Sequence, residues 1–187
     1  MVTHTFPTQE ELKVMTIKEK LGQMTLDFMW YRGMIIHHLT EIEMTLDIII
    51  TSYFNPEMKN DFNTFILNSG FVDFGKKIKI FQFILDINKY PDFLKENSKK
   101  EETNRAFIED LMKLNNKRNV LAHSKIAGHD EKIAEYDGNK IFFWSSKDGA
   151  TTIKEKIMSE FNVELKEIIE MNNNLILFYN KHFSTNK

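Results

Sequence analysis

Residues 115–124 read NNKRNVLAHS. A helical pattern enters this stretch from upstream, through Phe107, Ile108, Leu111 and Leu114. It predicts a helix from Lys100 to about Lys125 that carries Arg118, Asn119 and His123. Asn119 and His123 are four apart and share a face, whereas Arg118 lies roughly 140° around from His123 at about 100° per residue. Two readings follow from the spacing. In one, Arg118 pairs with a surface carboxylate, and His123 caps or packs against a neighbour. In the other, the three form a site for a charged substrate, brought together by the long arginine side chain, a helix irregularity or a second subunit.

Outward from this stretch the chain reads as helices. Thr8 and Glu11 have the spacing of a capping box, and Leu12, Met15, Ile17 and Leu21 continue from it, with Gly22 expected to bend or interrupt the helix. The pattern resumes at Leu26 and runs through Met29, Trp30, Ile35, Leu39, Ile42 and Leu46 to near Phe54; Gly33 inside it suggests a close contact with another helix. Asn55-Pro56 predicts the start of a short helix over 56–68, ended by NSG at 68–70. FGKKIKIFQFIL, residues 74–85, opens the next helix, with Phe74, Ile78, Phe81 and Leu85 on one face, and NKYPDF breaks it. Past Gly128 the character changes. Asp137-Gly138 lies between short β-prone runs and predicts a hairpin, and KDGATTIKE adds a second turn and a third short strand. Ser159 is the expected N-cap of a final amphipathic helix over 160–183.

The expectation is therefore one mainly α domain over 1–187: a helical bundle with a small β-hairpin or three-strand insertion, about 132–156, before the C-terminal helix. At 187 residues the chain is long enough to bury a substantial core, which 16 Phe and 10 Met would fill. The absence of cysteine excludes a disulfide framework, a thiolate zinc site and a cysteine nucleophile. With a formal net charge of -2 the whole chain does not attract polyanions, so nucleic-acid binding needs a local basic patch. The start of the sequence shows no signal-peptide pattern, and its most apolar run, TLDIIITSYF, is too short to span a bilayer; the expected location is cytoplasmic.

The segment RNVLAH resembles the HEPN family, the higher eukaryotes and prokaryotes nucleotide-binding domains, whose hallmark is Arg, four to six residues, then His, often with a polar residue directly after the Arg. Arg118, Asn119 and His123 fit that pattern. The helix FGKKIKIFQFIL and the acidic, aliphatic EIEMTLDIII are also similar to helices that accompany the motif. The resemblance covers roughly residues 24–125 plus the final helix. It implies a helical bundle, a homodimer, and a metal-independent endoribonuclease without cofactor, of a kind found among toxins and antiviral effectors. RNA and an antitoxin protein are the partners it implies. Other members have lost activity and serve as modules that bind RNA, nucleotide or protein, which is the alternative reading here.

The chemistry of the motif stands apart from the family. RNA is cut without metal when its 2′-hydroxyl attacks the adjacent phosphorus, which requires a proton acceptor, a donor to the leaving 5′-oxygen and positive charge on the phosphorane. Histidine suits proton transfer near neutrality. Arginine offers a planar, permanently charged fork to phosphate oxygens, and asparagine can orient the imidazole. A single histidine is thin provision for both acid and base, and a two-fold dimer would supply two copies. Lys76, Lys77 and Lys79, with Lys113 and Lys117, are candidates for a basic RNA-contacting rim, and Glu41 and Glu43 for carboxylates that steady Arg118 or His123. His37-His38 and the loop GHDEK at 128–132 are weaker groupings, read as an apolar-helix pair and a solvated loop.

Overall fold

A computed structural model describes residues 7–54, 57, 59–67, 72–90, 100–147 and 150–184. The chain is mainly helical, with a three-stranded antiparallel sheet. In order, the elements are α1 (Gln9–Val14), α2 (Ile17–Phe54), α3 (Lys59–Phe62) running into a π-helical turn (Asn63–Leu67), α4 (Phe74–Asn88) and α5 (Lys100–His123). Then follow β1 (Lys125–Ile126), α6 (Asp130–Ala134), β2 (Lys140–Lys147), β3 (Ala150–Ile157), a 3-10 turn (Met158–Glu160) and α7 (Phe161–Phe183). Two compact units divide them: Met1–His37 with Arg118–Glu167, and His38–Lys117 with Ile168–Lys187.

In the first unit, α1 starts on the expected capping box: Glu11 N–H donates to Thr8 Oγ1 and Thr8 N–H to Glu11 Oε2. The helix then stops at Met15, earlier than its apolar pattern suggests. A second reciprocal pair restarts the chain, with Thr16 N–H donating to Glu19 Oε2 at 2.8 Å and Glu19 N–H to Thr16 Oγ1 at 3.3 Å. The break therefore falls at the second Thr-x-x-Glu, and Gly22 lies within an uninterrupted α2. Gly33 does not mark a close helix contact, because a Cβ built there would meet nothing within 4 Å.

The sheet forms this unit's other layer of the core. β2 is central, paired antiparallel with β1 (Lys125↔Trp144, Ile126↔Phe143) and along its length with β3 (Lys140↔Ile157 to Lys147↔Ala150). Ile141, Phe142 and Phe143 are buried in succession, and Phe28 of α2 stacks on Phe143 with ring centroids 5.3 Å apart. Phe161, at the start of α7, meets Trp30 and Tyr31 edge-on at 4.8 and 5.4 Å. Burial pushes the Tyr31 phenol up to about 12. Asp27 is fully buried and satisfied: Tyr136 Oη donates to one oxygen and Gln23 Nε2 to the other at 2.9 Å.

The Asp137-Gly138 pair turns the chain, but not between two strands. The run before it forms α6, with buried Ile133, and the pair connects that helix to β2. Gly138 has φ +79°, a left-handed conformation that favours glycine, and a Cβ there would also crowd Leu12 Cδ1 at 3.0 Å. The hairpin is β2–β3 instead, and its turn at 148–149 lies outside the described residues. The third strand is β1, upstream of the predicted insertion. Ser159 is not the N-cap of the last helix. It sits inside the 3-10 turn, and its N–H donates to Asn139 Oδ1 at 2.8 Å.

In the second unit, Leu39, Ile42, Leu46 and Ile49 of α2 are buried, as are Phe74, Ile78, Phe81, Ile84 and Leu85 of α4 and Ile168, Leu175 and Phe178 of α7. Phe178 makes T-shaped contacts with Phe81 and Tyr90, ring centroids 5.4 and 5.3 Å apart. Asp73 caps α4 by accepting from Lys76 N–H at 2.9 Å, and Lys89 ends it in the left-handed conformation at φ 53°. The expected signals at Asn55-Pro56 and at 68–70, and most of the break after Tyr90, lie outside the described residues.

Candidate functional site

Arg118, Asn119 and His123 occupy the last turns of α5, which is regular α-helix to its end at His123. No irregularity of the helix swings Arg118 toward His123. The angular separation read from the spacing therefore stands, and only side-chain reach or a second copy can close it. Asn119 and His123 are exposed, and Arg118 is half-buried.

The turn that carries His123 is built tightly. The last four carbonyls of a helix lack intrahelical partners. Here Ser124 Oγ donates to the carbonyl of Val120 at 2.6 Å, and Ser124 N–H to that of Leu121 at 3.3 Å. Arg32 of α2 donates from Nη2 to the carbonyl of Ala122 at 2.8 Å. A cation there also suits the negative end of the helix dipole. Arg32 was not legible as a site residue, since no periodicity links positions 32 and 122. Directly after Ser124 the chain enters β1, and Ala127 N–H extends the ladder to Phe142 O at 3.0 Å.

The other candidates divide by burial. Lys77 is not on the surface. Its side chain is 3% exposed, and its ammonium lies 3.0 Å from Glu43 Oε1 and 2.8 Å from Asp47 Oδ2. That removes it from the expected basic rim and gives Glu43 a structural partner. Asp47 is buried, and the second oxygen of its carboxylate, Oδ1, is without a hydrogen-bond partner among the described residues. Desolvation holds the Asp47 carboxyl above its usual range, against the pull of Lys77. Glu41 Oε2 lies 2.6 Å from Nδ1 of His38.

Lys76, Lys79 and Lys113 are exposed, and Lys117 is half-buried. Lys76 lies 3.5 Å from Asp73, and Lys113 2.7 Å from Asp110, whose hydrogen bond holds the ammonium above its usual range. A cleft of about 520 Å³ in the second unit is lined by Gln82, Leu85, Asp86, Lys89, Asn104, Arg105 and Ile108, and includes none of the expected site residues. No helix among the described residues is long and apolar enough to cross a membrane.

No family model matches the chain, and neither curated proteins nor solved structures give a match.

Proposed function

We propose that the chain is a metal-independent endoribonuclease of HEPN type that acts as a homodimer. The observation that carries this reading is the contrast in exposure at the end of α5. Asn119 and His123 face solvent from the same side of a turn whose backbone is tied by Arg32 and Ser124, an arrangement suited to presenting polar groups to a ligand. In the proposed reaction the substrate 2′-hydroxyl loses its proton as its oxygen bonds to phosphorus. The P–O5′ bond breaks, and the leaving oxygen takes up a proton. His123 moves one of these protons, its copy in the second subunit moves the other, Arg118 carries the charge of the phosphorane, and Asn119 orients an imidazole. The resemblance to toxins and antiviral effectors supplies the biological setting of this proposal.

Purified protein incubated with total RNA, beside an Arg118→Ala/His123→Ala double variant, tests it. The expected products carry a 2′,3′-cyclic phosphate and a 5′-hydroxyl. Cutting persists in EDTA, fails on DNA and on RNA methylated at the 2′-oxygen of the cut site, and is lost in the double variant. Metal-dependent cutting that leaves 5′-phosphate ends and survives both substitutions overturns the mechanism. RNA binding without cutting returns the chain to the alternative reading, a non-catalytic binding module.

A further inference from the structure

We propose that Arg32 is the positioning residue of His123: it fixes the peptide that carries the imidazole. The catalytic half of this inference rests on the ribonuclease reading above, and the structural half does not. α5 ends at His123, so its last four carbonyls need partners from outside the regular helix, and three of them, those of Val120, Leu121 and Ala122, have one. Two of the three are supplied locally by Ser124. The third comes from Arg32, 90 positions away in sequence, through a 2.8 Å hydrogen bond. The Ala122 carbonyl belongs to the same peptide plane as the His123 nitrogen. Holding that oxygen fixes the plane from which the His123 Cα projects.

On the other side of His123 the chain is held again. Lys125 pairs with Trp144, Ile126 with Phe143, and Ala127 N–H donates to Phe142 O. His123 therefore stands between a tie to α2 and a tie to the sheet, with its side chain in solvent. Removing the Arg32 tie leaves the Ala122 carbonyl to water and lets the peptide rock. A guanidinium suits this role because its planar fork is pre-organised for the bond it makes, and its charge complements the helix terminus.

The test uses the full chain with Arg32→Met, which keeps the stem but has no donor, and with Arg32→Lys and Arg32→Gln, which each keep one. Amide hydrogen exchange at His123 and Ser124, read by NMR, reports the tie directly, and steady-state cleavage of RNA reports its consequence. Arg32→Met should speed exchange at these two amides on the order of tenfold. It should lower kcat on the order of ten- to a hundredfold, with KM changed less than about twofold. The Lys and Gln variants should recover most of both. Unchanged exchange and unchanged kcat in Arg32→Met overturn the proposal. So does a kcat loss that persists in Lys and Gln variants whose exchange has returned to normal, since Arg32 would then contact substrate. If Arg32→Met does not fold, the Gln variant decides: near-normal exchange and kcat support positioning, and a loss of kcat with normal exchange overturns it. If the wild-type protein cuts no RNA, the exchange result still decides whether Arg32 holds the turn, and the ribonuclease reading alone fails.

Discussion

Two polar groupings show how burial assigns a role. At Lys77, the ammonium and the Asp47 carboxylate are taken out of water together with Glu43 half-buried beside them, and the lysine is 3% exposed. At the end of α5, Asn119 and His123 remain in solvent while the backbone beneath them is bonded by Ser124 and Arg32. In the first grouping the side chains are spent on one another. In the second the carbonyls of Val120, Leu121 and Ala122 are bonded, and the side chains of Asn119 and His123 are left to meet something else. Charge in the sequence does not separate the two cases; the cost of desolvation does.

The sharpest way to break that contrast is to remove the cation from the buried group. Lys77→Met keeps the apolar stem and leaves Glu43 and Asp47 without their shared partner. Stranding the buried Asp47 carboxylate in this way costs about 3–5 kcal/mol. Urea unfolding at neutral pH should show a loss of that size. A change below about 1 kcal/mol would mean that the two carboxylates are well solvated without Lys77, and would place this grouping in the same class as surface pairs.

A smaller effect should appear in the pH dependence. Asp47 has its carboxyl raised above 3.8 by desolvation and by the neighbouring Glu43, against the stabilising pull of Lys77. A carboxyl with a folded pKa above its unfolded one ionises first in the unfolded chain. Rising pH therefore favours unfolding from 3.8 up to the raised folded value, and the penalty is constant above that. Compared with Asp47→Asn, the wild-type protein should lose stability across that window. Denaturant titrations from pH 3 to 7 check the sign. A wild-type protein that gains relative to Asp47→Asn as pH rises would show that the pair with Lys77 outweighs desolvation.

Much of the framework was legible because it rests on local chemistry. The Thr8–Glu11 box starts α1, the face of Phe74, Ile78, Phe81 and Leu85 is the buried face of α4, and the pattern from Phe107 lies within α5. The position of Lys77 was also written in the sequence, on the same stripe as Phe74, Phe81 and Ile84 at helical spacing, with Glu43 and Asp47 four apart on α2. Reading it as a surface cation gave residue type precedence over periodicity. The Asp137-Gly138 turn was recognised, but its neighbour was not. The preceding run buries Ile133 from a helix that opens on Asp130 and Glu131, acidic residues favoured in a first turn. Arg32 had no local signal at all, because its partner is a carbonyl 90 residues away. Long-range backbone ties of this kind become visible only once the chain is folded.

The smallest expected effect on stability belongs to His123, and it carries the other half of the comparison. The side chain is exposed, and its turn is held through backbone groups that an alanine would leave in place. His123→Ala should therefore shift the unfolding free energy by no more than about 0.5 kcal/mol, as for substitutions at the surface away from packed features. Under the proposed reaction the same change removes cleavage altogether, because no other side chain in the motif exchanges protons near neutral pH. Denaturant unfolding and RNA cleavage measured on one preparation separate these outcomes. Loss of cleavage with an unchanged midpoint marks His123 as a group presented for chemistry. An unfolding free energy lowered by several kcal/mol would instead make the imidazole part of the packing that ends α5, and would give this region the same character as Lys77.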